Sequence, residues 1–336
     1  MNTLSEKGFA LGAMKMLPAQ KNSLRIAMDA AIPLITNANV GIPEMFATYL
    51  DPEVVEILTA PLMAEKLFPA AKVGEWKDAQ TMFRESEHVG TVEPYSDFGK
   101  GTTSDANFNF PTRQIFRFQT LIECGDLEQE VAAAAKIALL AEKQQAAAKA
   151  IAIARNDIEL HGVSGLSIYG ILNEPNLPSA ISPTVESGNT AWEDKTATGV
   201  YNDILALFAD MQERCQGLVT FDTEMVLAVP PSLNAYLAKA TALGVSPAME
   251  LIGKHFPNLR VEVVPQLTAS GVDSIMLIAQ SIMGGKVGRC GFTDVLRPSR
   301  VVLEHTAMSQ KWSSSSAGCL LYRPIGVSTM SGLQGS

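Results

Sequence analysis

Long apolar runs are missing from this chain. No stretch reaches the ~18 continuous apolar residues of a membrane-spanning helix, which speaks against a helical membrane protein. Basic charge is also short: 26 Lys and Arg stand against 35 Asp and Glu, a formal net charge of −9. A dedicated nucleic-acid binder needs a positive surface to hold phosphates, so that class is disfavoured. One local exception is residues 1–25, where Lys7, Lys15, Lys21 and Arg25 face a single Glu6. Such an arm is either a solvated terminus or a contact to nucleic acid or an acidic neighbour. Cysteine is scarce, and Cys124, Cys215, Cys290 and Cys319 stand apart with no Cys-x-x-Cys among them. They are expected as buried, reduced thiols in a cytoplasm-like compartment. His88, His161, His255 and His305 are scattered, without metal-ligand spacing. The start of the chain has no secretory pattern, because Lys15, Pro18 and Lys21 interrupt its apolar pieces.

Motifs for phosphate or acyl chemistry are lacking too. Gly285-Lys286 has neither a glycine five residues earlier nor a Ser or Thr after it, and Gly284, Gly285 and Gly288 do not make Gly-x-Gly-x-x-Gly. Ser164 is not in a nucleophile elbow, since Leu166 stands where the second glycine would be. No catalytic, cofactor-binding or metal-binding residue is assigned.

What is present centres on Asp126–Pro178. From Asp126, a good N-cap, to Gly162, a good stop, about 34 residues contain no Pro or Gly. The pattern predicts one helix over 126–160, a rod roughly 50 Å long at ~1.5 Å per residue. Ala133, Ile137, Leu140, Gln144, Ala147, Ile151, Ala154 and Ile158 line one narrow face at 4-3 spacing. Taken alone, such a helix also suits a coiled coil or bundle.

Residues 1–72 are cut by Pro18, Pro33, Pro43, Pro52, Pro61 and Pro69 into short helical pieces such as 52–58 and 61–67. They read as an arm lying along something else. From Val73 strands take over: Gln114 to Ile122 alternates with period two, Ala79–Val92 is its expected partner, and polar Glu93–Pro111 is the expected tip. A lone hairpin is marginal in water, so this one must lean on the body or on another molecule. Beyond the helix, short strands are expected around Leu166–Leu172, a loop over Ser179–Thr190 and a helix over Thr198–Cys215. An α/β pattern then gives strand 225–229, helices 232–243 and 248–255, and strands 259–264 and 275–282. Gly284–Gly291 is a glycine-rich loop, and 301–305 and 319–327 read as strands around the polar run Ser313–Ser316.

Asn173-Glu174-Pro175 matches the short signature around the acid/base carboxylate of barrel glycosidases. That reading needs eight β/α units and a second strand-end carboxylate. The chain offers neither, and a 7% aromatic share with three Trp is thin for stacking sugars. A turn after a short strand accounts for the tripeptide equally well.

The order of these elements resembles the major capsid proteins of tailed bacteriophages, whose shell fold is shared with encapsulins. Three stretches carry the resemblance: Tyr169-Gly-Ile-Leu-Asn-Glu-Pro-Asn-Leu-Pro178 as the turn after a spine helix, Trp76–Ile122 as an extended loop, and Ser316–Ile325 as a closing strand. It implies an α+β capsid fold with an N-terminal arm (1–72), an extended hairpin loop (73–124), and a peripheral domain (125–220) with its spine helix. An axial α/β domain (221–294) and return strands of the peripheral domain (295–336) complete it. It also implies no enzyme activity and no cofactor, but a subunit that assembles with itself as pentamers and hexamers in an icosahedral virion shell around double-stranded DNA. Assembly would take place in the bacterial host cytoplasm, without membrane contact or sequence-specific DNA binding. A separate scaffolding protein, a portal and a decoration protein are the other implied partners, the first because no large N-terminal scaffold region is evident. Expected assembly contacts are Tyr95, Phe98, Lys100, Phe116, Phe118, Asn173, Pro175 and Arg289, with Lys100 the one lysine placed for an isopeptide cross-link. An encapsulin-like compartment and a glycosidase are the alternatives.

Overall fold

The computed structural model describes residues 62–95, 97–99, 101–239, 247–269 and 272–333. By internal contacts the chain separates into Met1–Leu58 and Thr59–Ser336, and the described residues all belong to the second unit. The helical piece expected over 52–58 and nearly all of the arm lie outside them. The end of the arm does not lie along the surface: Met63, Ala64, Leu67 and Phe68 are buried in the main core. Their short helix α1 (Ala64–Leu67) has no side-chain cap of its own. Asn156 supplies one from a distance, its Oδ1 accepting from Met63 N at 2.9 Å and Ala64 N at 3.0 Å.

The expected rod is two helices. α2 (Asp126–Ala134) stops, and α3 (Leu139–His161) starts after four intervening residues. Lys136 takes φ 59° between them. Lys136 N donates to Ala133 O at 3.0 Å and Ile137 N to Ala132 O at 2.9 Å, the paired bonds of a Schellman stop with lysine where glycine is usual. Gly125, not Asp126, is the N-cap of α2. The apolar stripe survives only past the break. Ala147, Ile151 and Ile158 are buried, whereas Ala133 and Ile137 face solvent. Gly162 does end α3, at φ 69°.

Three sheets build the body. Phe116–Gly125 pairs antiparallel with Ala307–Ser316 over ten residues, flanked by Arg297–Pro298 and Val302–Leu303, and α3 lies against this pair. A second sheet runs Ala70–Lys72, Gly288–Phe292, Gly318–Leu321. The third runs Val327–Ser331, Val272–Ala279, Met225–Val229, Leu259–Val263, with Thr268–Ala269 at the side. Helix α4 (Ala197–Arg214), capped by Thr196, buries Val200, Ile204, Leu207, Phe208 and Met211 in the core cluster that holds all five residues of Met225–Val229. α5 (Ala248–His255) joins through Ile252, and the rings of Phe208, Phe221 and Phe256 cluster with centroids within 5.2 Å of one another.

Several expectations change in detail. Val327–Ser331, grouped by sequence with the peripheral return strands, completes the sheet of the 225–279 strands. The run Ser313–Ser316 is the end of a central strand, and Ser314, Ser315 and Ser316 are fully buried. Their hydroxyls are satisfied by backbone and by Thr293: Ser314 Oγ donates to Asp294 O at 3.2 Å, and Ser315 Oγ accepts from Asp294 N at 3.1 Å and lies against Thr293 Oγ1. Gly284–Gly291 is largely strand, Gly285–Lys286 and Gly288–Phe292, rather than loop. The helix expected over 232–243 is a single turn, Pro231–Asn234, continued as 3-10 helix to Ala238, with 240–246 outside the described residues. Around 166–172 there is a turn with one isolated bridge, Val163↔Ile168, in place of strands.

Candidate assembly surfaces

The hairpin is the part of this unit least able to stand alone. Gln80–Met82 pairs with Thr112–Gln114, and Glu85–Gly90 with Ser104–Asn109, in the same register from Gln80↔Gln114 to Gly90↔Ser104, with a break in the ladder at Phe83–Arg84. The eleven residues from Gln80 to Gly90 project roughly 35 Å at strand rise. The strand expected over 114–122 divides at Ile115, whose N–H goes to Ala79 O at 2.9 Å. Gln114 stays with the hairpin, and Phe116 onward turns to Ala307–Ser316. The polar tip expected over 93–111 is shorter, because Ser104–Asn109 is itself strand.

Glu85–Gly90 is exposed at every residue, and Ser104–Asn109 at all but one. Seven large apolar side chains on this hairpin are exposed: Met82, Val89, Val92, Tyr95, Phe98, Phe108 and Phe110, with Tyr95 at 91% and Phe98 at 100%. Arg84 lies 5.5 Å over the Phe108 ring; apolar surface of this extent on a two-stranded ribbon otherwise stays open to solvent among the described residues.

The base of the hairpin is tightly tied. Arg113 Nη2 meets Glu174 Oε1 at 2.7 Å, and its guanidinium lies 4.8 Å from the Tyr169 ring centroid. Arg117 donates to Trp76 O at 2.7 Å and Asp78 O at 2.6 Å. Phe83 packs edge-on against Tyr322 at 5.2 Å. Beside it, Arg84, Glu85, Lys286 and Arg323 help to line a cleft of about 360 Å3. None of these anchoring roles was expected from the sequence. Arg117 lies in a run where only alternation was visible, and Arg113, on Thr112–Gln114, falls just before that run.

The turn after α3 is the second ordered feature. Ile171 N and Leu172 N donate to Glu159 O and Leu160 O, each at 2.9 Å, so the chain doubles back on the helix end. A Cβ on Gly170 would come within 2.2 Å of the Leu160 carbonyl, so the approach requires glycine. Asn173 holds the turn from within: its Oδ1 accepts from Gly170 N at 2.6 Å and its Nδ2 donates to His161 O. Glu174 is 3% exposed, and burial raises its carboxyl above the usual range against the pull of Arg113. Its partners are Arg113 and Asn176. This is a structural ion pair and not the carboxylate pair of a glycosidase. Among the described residues no group of three or more His, Cys, Asp or Glu is placed to hold a metal ion, and no helix is long and apolar enough to cross a membrane.

The other expected contact residues are spread over the unit. Phe116 and Phe118 are half-buried and stacked at 6.2 Å. Pro175 is exposed beside Glu174. Arg289 is half-buried, 5.2 Å over the Tyr322 ring, facing the hairpin base. Lys100 lies outside the described residues. Two further exposed apolar groups were not expected: Leu127 and Val131 on α2, and Met283, 78% exposed at the turn between Ser281–Ile282 and Gly285–Lys286.

A family model described as Pa193 gp26 major capsid protein matches residues 33–332. No curated protein matches the chain. Among solved structures, the capsid of Myoviridae phage XM1 aligns with a TM-score of 0.74 at 11% identity, over 88% of this chain and 100% of that one. A chain of Mycobacterium phage Ogopogo aligns at 0.56 and 12% identity, over 87% and 99%. The capsid of a native GTA particle aligns at 0.58 and 10% identity, over 84% and 94%. At these identities the structural likeness establishes the fold, and the family match extends over most of the sequence.

Proposed function

The chain belongs to the Pa193 gp26 major capsid protein family, and on that premise we propose that its copies close into an icosahedral phage head around double-stranded DNA. The family match favours a head shell over an encapsulin-like compartment. The observation that carries the reading is the hairpin, fixed at its base by Arg113 and Arg117 and bare at its tip, where Tyr95 and Phe98 stand exposed among the described residues. In this reading 73–124 is the extended loop that lies on a neighbouring subunit. The sheet of Phe116–Gly125 and Ala307–Ser316 with α3 is the peripheral domain, and the sheet around Met225–Val229 is the axial one. Contacts repeated around five- and six-fold axes, pentamers and hexamers, would cover the exposed apolar groups. The subunit works as a wall and not as an enzyme. Its net charge of −9 leaves packed DNA ungripped and mobile. Scaffolding, portal and decoration proteins are the expected additional partners, with assembly in the host cytoplasm.

Electron microscopy of the purified protein, alone and co-expressed with its neighbouring head genes, tests this. Closed particles of uniform size are expected. A chain that remains monomeric in both preparations overturns the proposal. Deleting Tyr95–Asn109 should leave the subunit folded and prevent closed shells, and normal particles from that deletion would refute the role given to the hairpin.

A further inference from the structure

Cys290 and Cys319 are directly opposite residues on the antiparallel strands Gly288–Phe292 and Gly318–Leu321. Neither uses its N–H across the pair: Cys290 N donates to Pro69 O at 3.1 Å, and Cys319 N to Tyr169 O at 2.9 Å. The two therefore occupy a non-hydrogen-bonded site, where opposed Cα atoms come within about 4.5 Å. That lies inside the ~4.4–6.8 Å range that a disulfide spans. Both side chains point to the same core, 0% and 1% exposed, and Cys290 Sγ lies 3.8 Å from Ala64 O of α1. Hydrogen bonding with the Cys319 thiol, and then burial, raise the Cys290 thiol well above its ordinary range. The remaining cysteines have no such neighbour. Cys124 Sγ faces Gly125 O at 3.9 Å, and Cys215 Sγ faces Ile325 O at 3.4 Å.

We propose that Cys290 and Cys319 form an intrachain disulfide, a covalent modification site that is reduced as the chain folds and closes in oxidising surroundings. The oxidant is a small-molecule disulfide of the glutathione class. One protein thiolate attacks it and releases one small thiol, leaving a mixed disulfide. The second protein thiolate then displaces the other small thiol and forms the S–S bond. Two S–H bonds are lost, the two protons leave with the two released thiols, and the two electrons reduce the small disulfide. Thiolates are the nucleophiles, so two buried and protonated thiols wait on a local opening of Gly318–Leu321. A reducing cytoplasm keeps the pair open. The closed bridge staples the two strands beneath α1 and α3 and spans a loop of about 30 residues, which restricts the unfolded chain.

The test uses the purified full chain, incubated with glutathione disulfide at pH 8.5 in graded urea below its unfolding transition. It is then alkylated in denaturant and analysed by intact mass and peptide mapping. Two alkyl adducts per chain are expected, on Cys124 and Cys215, with the Cys290 and Cys319 peptides linked. The midpoint of thermal unfolding should rise by about 5 °C and fall back with reductant. Cys290→Ser should carry no linked peptide and show no rise. Four adducts, a persistent glutathione adduct on Cys290 or Cys319, or a bridge through Cys124 or Cys215 would each overturn the proposal.

Discussion

Replacing Lys136 by glycine separates a broken spine from a continuous one by the sign of its effect. In the broken form Lys136 holds φ 59° and caps α2 through the bonds of Lys136 N and Ile137 N to Ala133 O and Ala132 O. A side chain in this left-handed region costs roughly 1–2 kcal/mol, which glycine does not incur. Glycine also adds freedom to the unfolded chain, returning ~0.5–1 kcal/mol of that gain. The net expectation for Lys136→Gly is a stabilisation of about 0.5–1 kcal/mol. Were 126–160 one uninterrupted helix, the same substitution would sit in its interior and cost about 1 kcal/mol. Urea unfolding followed by circular dichroism reads the difference. Ala146→Gly, on an exposed position within α3, serves as the control that should lose about 1 kcal/mol in either case. Equal losses for both variants would refute the break.

On the hairpin, Tyr95→Ser with Phe98→Ser should change subunit stability by less than ~0.5 kcal/mol, since both rings are exposed. Loss of each ring should weaken a subunit contact by ~2 kcal/mol, about 30-fold, so particle yield by sedimentation should collapse, and an unchanged yield would sink the idea. Arg113→Met leaves the Glu174 carboxyl buried without its partner and should cost ~3–5 kcal/mol at pH 8. Adding Glu174→Gln should recover part of that in thermal melts, and a double variant no better than the single would count against the pairing. Glu159, 1% exposed, is pushed up to about 7 by burial, against the attraction of Arg155. Between its ordinary 4.5 and about 7 the folded chain holds a proton that the unfolded chain does not, so stability falls as pH rises through this window. Glu159→Gln should match the parent near pH 4.5 and exceed it by roughly 3 kcal/mol at pH 8 in chemical denaturation; an offset independent of pH would contradict this.

Where one physical signal dominates, the sequence is readable. Met225–Val229 is apolar throughout because it is buried on both faces, and it forms over the expected residues. So does Ala248–His255, which follows a proline. The break at Lys136 was hidden because its stop uses lysine where the readable signal is glycine. Ser313–Ser316 was hidden because its polarity kept it out of the expected strands on either side, while the structure buries each hydroxyl of 314–316 against nearby backbone or Thr293. The aromatic residues of the candidate contact surface could be read from the tip, but its anchors could not. Arg113 finds Glu174 across 61 residues, and Asn156 caps α1 across 92, pairings that no local pattern records.

The division between an anchored base and a bare tip also bears on how specificity arises. Thr112–Gln114 belongs to the hairpin, and after Ile115 the same chain enters a ten-residue pairing with Ala307–Ser316. The ribbon is therefore continuous with the longest ladder in the unit, and Arg117 on that ladder grips the carbonyls of Trp76 and Asp78 in the turn just before the outgoing strand begins at Gln80. In the proposed assembly, direction is set by these contacts before a neighbour arrives. Affinity would rest with the tip, where exposed aromatics contribute only once another surface covers them. If the two properties are separable in this way, weakening Arg117 by substitution to Lys, which cannot bridge both carbonyls with one planar fork, should produce misassembled particles. Removing the aromatics should produce none. Particles of normal shape from Arg117→Lys would mean that the neighbour, and not the base, aims the hairpin.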